Sequence, residues 1–185
     1  WKWIRGYTAK SGANLNLNEH NNIFFNLGYI SKAPIFDNVY TRNNTLQEYI
    51  RNEIVKAVEG GYSYRSSLYS ANLNMYYTVW ENKPANISDI IDNERYSDVV
   101  PMNALHKGVE MDGALKLSRS LSIEGLVSLG DWIWTSEGEA IILNSENNPP
   151  SMEAIDNTSL DTLRYDANGV HVGDAAQTQF GFSVR

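Results

Sequence analysis

The sequence predicts an all-β chain of about seven antiparallel strands, of the type that line a transmembrane β-barrel. Three observations carry that prediction. Segments of about ten residues alternate apolar and polar side chains, the period of a strand with one apolar face. The connections between these segments are short and long in strict alternation. All five prolines (Pro34, Pro84, Pro101, Pro149 and Pro150) fall in the long connections.

The first alternating segment, Ala9 to Asn18, sets Ala9, Ser11, Ala13, Leu15 and Leu17 against Lys10, Gly12, Asn14, Asn16 and Asn18. The second sets Ile23, Phe25, Leu27 and Tyr29 against Asn22, Asn26 and Gly28, with Phe24 and Ile30 as exceptions. In the third, Val58, Tyr62 and Tyr64 oppose Glu59, Gly61, Ser63 and Arg65. The fourth is the cleanest: Ala71, Leu73, Met75, Tyr77 and Val79 alternate with Ser70, Asn72, Asn74, Tyr76 and Thr78. A fifth places Leu105, Val109, Met111 and Leu115 opposite His106, Glu110, Asp112 and Lys116. The sixth runs from Leu121 to Leu129 with Leu126 out of phase, and the last from Ala176 to Arg185. Strands of this length suit a bilayer crossed at a tilt.

Tight polar turns are expected at Asn18 to Asn22, Arg65 to Tyr69 and Leu117 to Leu121. Long loops are expected at 33–52, 81–104 and 132–172. An outer-membrane barrel has short periplasmic turns and longer extracellular loops, so it produces this rhythm. Proline removes a ladder donor, and its confinement to the loops fits paired strands between them. Within Thr45 to Val58, the helical spacing of Leu46, Ile50 and Ile54 also allows a helical turn at the start.

Composition narrows the class. The chain of 185 residues is 42% hydrophobic, with 11 Tyr and 5 Trp, and its mean hydropathy is −0.40. No stretch approaches the roughly 18 apolar residues of a membrane helix. A barrel escapes that test, because only alternate residues meet lipid. An aromatic-rich soluble β-sandwich shares this composition, so a carbohydrate-binding module of that kind is an alternative, as is a passive porin. The absence of Cys removes disulfides, thiolate nucleophiles and cysteine metal sites. A formal charge of −7 argues against nucleic-acid binding.

Several stretches resemble TonB-dependent outer-membrane receptors. Asn26-Leu27-Gly28-Tyr29-Ile30-Ser31-Lys32-Ala33-Pro34 looks like a strand-to-loop junction of that family. Val58-Glu59-Gly60-Gly61-Tyr62-Ser63-Tyr64-Arg65 is similar to its Glu-Leu-Gly-Tyr strands, with Gly60 departing from the pattern. Tyr76 to Lys83 resembles its aromatic strand ends, and Leu105 to Asp112 its Gly-Val-Glu strands. The overall flavour, including Gly130-Asp131-Trp132 and Val172 to Ala176, is similar to receptors of the Bacteroidota.

The resemblance implies that residues 1–185 are part of the C-terminal half of a larger, 22-stranded barrel, in the outer membrane of a Gram-negative bacterium. It implies import of a nutrient ligand (siderophore, vitamin, oligosaccharide or peptide) rather than catalysis. Outer-membrane lipid surrounds such a barrel, the TonB complex acts through N-terminal parts outside this stretch, and a surface lipoprotein is a further partner of some members.

Asn72, Asn74, Glu110 and Asp112 are the expected lumen-facing residues. Glu110 and Asp112 share one strand face, and Glu124 is expected across the hairpin. Paired carboxylates can serve as acid and base, but a polar barrel lumen also explains them and is the preferred reading, so no catalytic residue is assigned. His20, His106 and His171 lack the spacing of a metal site; no metal or cofactor is expected. The acidic stretch Asp89, Asp92, Asn93, Glu94 and Asp98 offers oxygen ligands without the order of a calcium loop. Trp80, Trp132 and Trp134, at strand ends beside long loops, read as interface anchors. Trp132, Trp134 and Tyr165 are the candidates for ligand contact.

Overall fold

A computed structural model describes residues 3–35, 39, 51–91, 94–141, 162–173 and 175–185. Its strands are β1 (Tyr7–Asn16), β2 (Asn21–Lys32), β3 (Glu53–Arg65), β4 (Tyr69–Ile91), β5 (Glu94–Lys116), β6 (Ser122–Trp134), β7 (Glu137–Ile141), β8 (Thr162–Asp166) and β9 (Thr178–Val184). Seven of them form one sheet in the order β1-β2-β3-β4-β5-β6-β9, and every pairing is antiparallel. The remaining pair, β7-β8, is a separate two-stranded ribbon.

Register explains why so exposed a sheet is still ordered. Directly paired residues share a face, and the pairing carries one apolar row through all seven strands: Leu15, Ile23, Tyr62, Leu73, Met111, Val127 and Phe180. The neighbouring row is Ala13, Phe25, Gly60, Met75, Val109, Leu129 and Thr178. The opposite face carries Asn16, Asn22, Ser63, Asn72 and Asp112 in one row. A one-residue slip would put the carboxamides of β1, β2 or β4, or the carboxylates of β3 or β5, among these apolar side chains.

No second sheet covers the apolar face among the described residues, where Phe180 is 86% and Met75 53% exposed. A β-sandwich buries such a face against a partner sheet, so the sandwich alternative is not supported.

The two exceptions to alternation have a common cause. Phe24 lies on the polar face against Gly61, its cross-strand partner, where a Cβ would collide with the ring. Leu126 lies over its own partner, Gly181, at 3.1 Å from where a Cβ would stand. Each large side chain occupies the space that a glycine leaves open.

The short turns are as expected. Asn18 organises the first, its Oδ1 accepting from the backbone of His20 at 2.9 Å and of Asn21 at 3.0 Å. The segment expected as a loop at 81–104 is different. β4 and β5 continue through it as a ribbon, paired from Lys83↔Met102 to Ile91↔Glu94 beyond a bulge at Trp80/Lys83. Pro84 and Pro101 oppose each other there. In a two-stranded ribbon both members are edge strands, where a missing donor is tolerated. The segment at 132–172 likewise opens within β6 and holds the β7-β8 ribbon. The helical turn considered near Thr45 lies outside the described residues up to 50, and the side chains of the acidic stretch Asp89, Asp92, Asn93, Glu94 and Asp98 lie outside them too.

At the bulge Asn82 adopts a φ of 56°, a left-handed conformation that asparagine tolerates better than most residues. A polar belt crosses the sheet at this level. Asn52 Nδ2 donates to Arg5 O at 2.7 Å and to Ser31 Oγ at 2.8 Å. Asn82 donates from Nδ2 to Asn52 O at 3.2 Å and from its backbone to Asn103 Oδ1 at 3.0 Å. Asn103 N in turn donates to Ser136 Oγ at 2.5 Å. Above the belt the ribbons form a small core: Val100 and Met102, each 4% exposed, pack with Ala85, Trp134, Tyr165 and Ala167.

Candidate functional site

The polar face is the chemically distinctive surface of the sheet. At mid-height it is a ladder of carboxamides, hydroxyls and carboxylates. Asn72 Nδ2 donates to Asp112 at 2.8 Å, Asn74 Nδ2 to Glu110 at 3.4 Å and Asn26 Nδ2 to Glu59 at 3.3 Å. Ser183 Oγ donates to Glu124 at 3.3 Å. Asn72, Asn74, Glu110 and Asp112 therefore lie together on one face, with Glu124 a few residues below them on β6. Each of these carboxylates accepts from a carboxamide or hydroxyl on a neighbouring strand.

Toward the long-connection end the same face carries an aromatic cluster. Trp132 stacks on His106, its cross-strand partner, with ring centroids 5.4 Å apart. His106 meets the edge of Trp80 at 6.0 Å. Trp132 Nε1 donates to Tyr76 OH at 2.8 Å. Lys83 Nζ lies 4.3 Å from the ring centre of Trp80 and 5.4 Å from that of Trp134, cation–π distances. The side chain of Gln177 takes the place of a strand beside Trp132, accepting from its N at 2.8 Å and donating to its O at 3.0 Å. Trp132 O also accepts from Val172 N at 2.9 Å, beside the isolated bridge between Ile133 and His171.

These positions correct the expectation that Trp80, Trp132 and Trp134 are interface anchors. Register places all three on the polar face, with Thr78, His106 and Ala104. The apolar face has tyrosines instead: Tyr7 and Tyr29 stacked at 5.6 Å near one end, Tyr64 and Tyr69 at 4.9 Å near the other. Of the ligand-contact candidates, Trp132 belongs to the aromatic cluster, Trp134 bridges it to the ribbon core, and Tyr165 packs in that core.

Sequence reasoning did not join Tyr76, Lys83 and His106 to this group. They are 56, 49 and 26 residues from Trp132, and only the cross-strand register unites them. His20 and His171 lie elsewhere: His20 Nδ1 is 2.8 Å from Arg65 O in a turn, and His171 bridges to Ile133.

No family model matches the chain, and no curated protein matches it. Solved structures do. The FrpB iron transporter from Neisseria meningitidis (F3-3 variant) superposes with a TM-score of 0.53 and 16% identity, over 68% of this chain and 18% of its own. The copper transporter OprC superposes with a TM-score of 0.56 and 13% identity, over 95% of this chain and 30% of its own. The chain thus spans less than a third of either transporter. At these identities the likeness is one of fold: antiparallel wall strands of an outer-membrane β-barrel.

Proposed function

We propose that this chain is wall and surface ribbons of a TonB-dependent outer-membrane importer. In this reading the apolar face meets lipid, and the polar face, with Asn72, Asn74, Glu110 and Asp112, lines the lumen. The short turns are periplasmic, and the ribbons beyond the belt are extracellular. The carrying observation is the single-layer sheet with one continuous apolar face. Soluble proteins do not leave such a face open to water, whereas a barrel wall presents it to the bilayer.

Dimensions support this. On β4, Tyr69 and Glu81 are twelve residues apart, about 40 Å along a strand and about 30 Å of height at a tilt of about 40°. On β5, Leu115 and Lys107 are eight apart, which gives about 20 Å. These values bracket the apolar band of about 25 Å in such barrels. Both sheet edges, on β1 and β9, lack a ladder partner among the described residues, and lipid tolerates no open edge. The barrel therefore closes through strands supplied outside this stretch, consistent with the share of each transporter that it covers.

The importer's work is recognition and passage rather than bond chemistry. The aromatic cluster faces the lumen just below the belt, where an incoming ligand leaves the ribbons and enters the barrel. Rings and the Lys83 ammonium offer stacking and charge-assisted contacts there. The ribbons carry the remaining capture surface, because binding residues concentrate on loops held by a rigid scaffold. Iron and copper are the cargoes named for the two solved transporters.

The test uses the full-length receptor in its native cells. Uptake of the cognate nutrient should be lost when TonB is removed, with surface abundance and heat-modifiability unchanged. Uptake that persists without TonB would make the barrel a passive porin. Replacing Glu137 to Asp166 by a short polar turn should abolish whole-cell ligand binding while the barrel assembles normally. Normal uptake by that variant would move capture away from this ribbon.

A further inference from the structure

Where the wall passes into the β7-β8 ribbon, one side chain stands in for a strand. β9 pairs with β6 as far as Thr178↔Leu129. One step further, Gly130 N donates to Gln177 O at 2.6 Å. The chain leading back to β9, the returning leg from Gly169 to Val172, meets β6 higher up. There His171 bridges to Ile133, and Trp134 N donates to Val170 O at 2.8 Å. Trp132 lies between these two pairings, and the carboxamide of Gln177 fills the interval. Its Oε1 accepts from Trp132 N, and its Nε2 donates to Trp132 O and, at 3.3 Å, to Val172 O. One half-buried side chain thereby joins the top of β6, the returning leg and the start of β9.

The indole of Trp132 is held separately from this junction. Its Nε1 bond to Tyr76 crosses a row in which Tyr76, Gly108 and Gly130 are successive cross-strand partners. A Cβ on Gly108 would stand 2.5 Å from Tyr76 OH, and one on Gly130 2.9 Å from Trp132 Nε1. The two glycines therefore clear the space in which the rings meet. Ring and backbone of Trp132 are thus tied to different segments, the ring to β4 and the backbone to the returning leg. A carboxamide suits the second tie because it offers donor and acceptor together, as a peptide group does. It supplies two of the hydrogen bonds to the Trp132 backbone, and Val172 N supplies a third. An apolar side chain of that length would leave Trp132 N without its partner, a costly loss in a half-buried place. Displacement of the leg reaches Trp132 through these bonds, and the indole must then tilt about its contact with Tyr76.

We infer that Gln177 is the positioning residue that couples the ribbon to the aromatic cluster, by holding the Trp132 backbone to the returning leg. The inference rests on the importer reading only in placing that cluster in the lumen. Its test labels the full-length receptor with 5-fluorotryptophan and follows the fluorine resonance of Trp132, assigned by its loss in Trp132→Phe. Replacing Glu137 to Asp166 by the short polar turn should shift that resonance in the parent. Gln177→Met keeps the length of the side chain and removes the amide. In its background the same replacement should move the resonance much less, the non-additivity of residues that share one hydrogen-bond network. Gln177→Glu sets a carboxylate against the carbonyls of Trp132 and Val172, and this second variant should uncouple the ribbon in the same way. Heat-modifiability reports whether each variant assembles, and the ribbon replacement in the parent needs no change at Gln177. A Trp132 resonance unmoved by that replacement would overturn the inference, as would equal shifts with and without the Gln177 carboxamide. So would a resonance of Trp80, on β4, that moves as far as that of Trp132, since the whole wall would then have loosened. None of these readings involves TonB, so TonB-dependent uptake, measured separately, tells failure of the coupling from failure of the importer reading.

Discussion

Below the bulge at Asn82 the chain is a sheet one layer thick, and above it two ribbons share a core. The wall leaves Phe180, Phe182 and Met75 open on one face, whereas the ribbons bury Val100 and Met102 against Trp134 and Tyr165. In the importer reading, the same backbone geometry serves two solvents. Where lipid takes the apolar side chains, no partner sheet is needed. Where water returns, the strands must cover their own, and β7-β8 does so. The change falls at a level marked by the Asn52-Asn82-Asn103 belt and by two ion pairs on the apolar face, Lys56–Glu81 at 2.5 Å and Lys107–Asp131 at 3.1 Å.

Substitution at mid-wall tests this contrast most severely. Met75 stands six residues from both Tyr69 and Glu81, near the middle of the apolar face. Met75→Arg should cost about 2–4 kcal/mol, the penalty for a basic residue at the bilayer midplane. Its neighbour Asn74, beside Glu110 on the polar face, should accept arginine without loss of outer-membrane yield. Equal yields for the two variants would mean that the faces are wrongly assigned.

In the ribbons the sensitive residue is one that water would otherwise reach. Met102→Ala should cost about 2 kcal/mol, the low end for a truncated core methionine. The damage should stay local: proteases added to intact cells should cut the ribbons sooner, while the barrel keeps its heat-modifiability. Loss of both together would show that wall and ribbons form one cooperative unit. At the boundary itself, Asn82→Val should cost about 1–2 kcal/mol for a left-handed backbone. Asn82→Gly keeps the backbone conformation freely and should lose only the Nδ2 bond to Asn52 O, about 0.5–1.5 kcal/mol in urea titration.

How much of this the sequence disclosed follows the same boundary. In the wall, a face open to lipid demands alternation, so Ser70 to Val79 reads directly as a strand. Phe24 and Leu126 break the pattern because the glycines that receive them, Gly61 and Gly181, lie on other strands. Above the bulge alternation fails: 81–104 holds two prolines, and its pairing partners sit across a hairpin rather than in a local period. The candidate site was half legible. Asn72, Asn74, Glu110 and Asp112 share a face by simple parity, but the stacking of Trp132 on His106 depends on the β5-β6 register, and parity alone does not supply that. Least legible was the grouping of Arg65, Lys116, Arg119 and Arg185, which come from two turns and the residue after β9.

The smallest effect is the most informative about where lipid ends. Lys107 and Asp131 are cross-strand partners on the apolar face, with side chains 47% and 46% exposed. If the pair lies at the headgroup level, water screens it, and its coupling should be about 0–1 kcal/mol, as for other exposed pairs. The lysine stem can also carry its ammonium toward water when the partner is removed. A double-mutant cycle with Lys107→Leu and Asp131→Leu, read by urea unfolding of the full-length receptor in detergent, isolates that coupling. The double variant should be as stable as the parent or slightly more so, because two charges near lipid are replaced by apolar side chains. A coupling of several kcal/mol would mean that the pair is desolvated. The apolar band would then reach past Asp131 toward the belt, and the boundary would move up to Asn103 and Ser136.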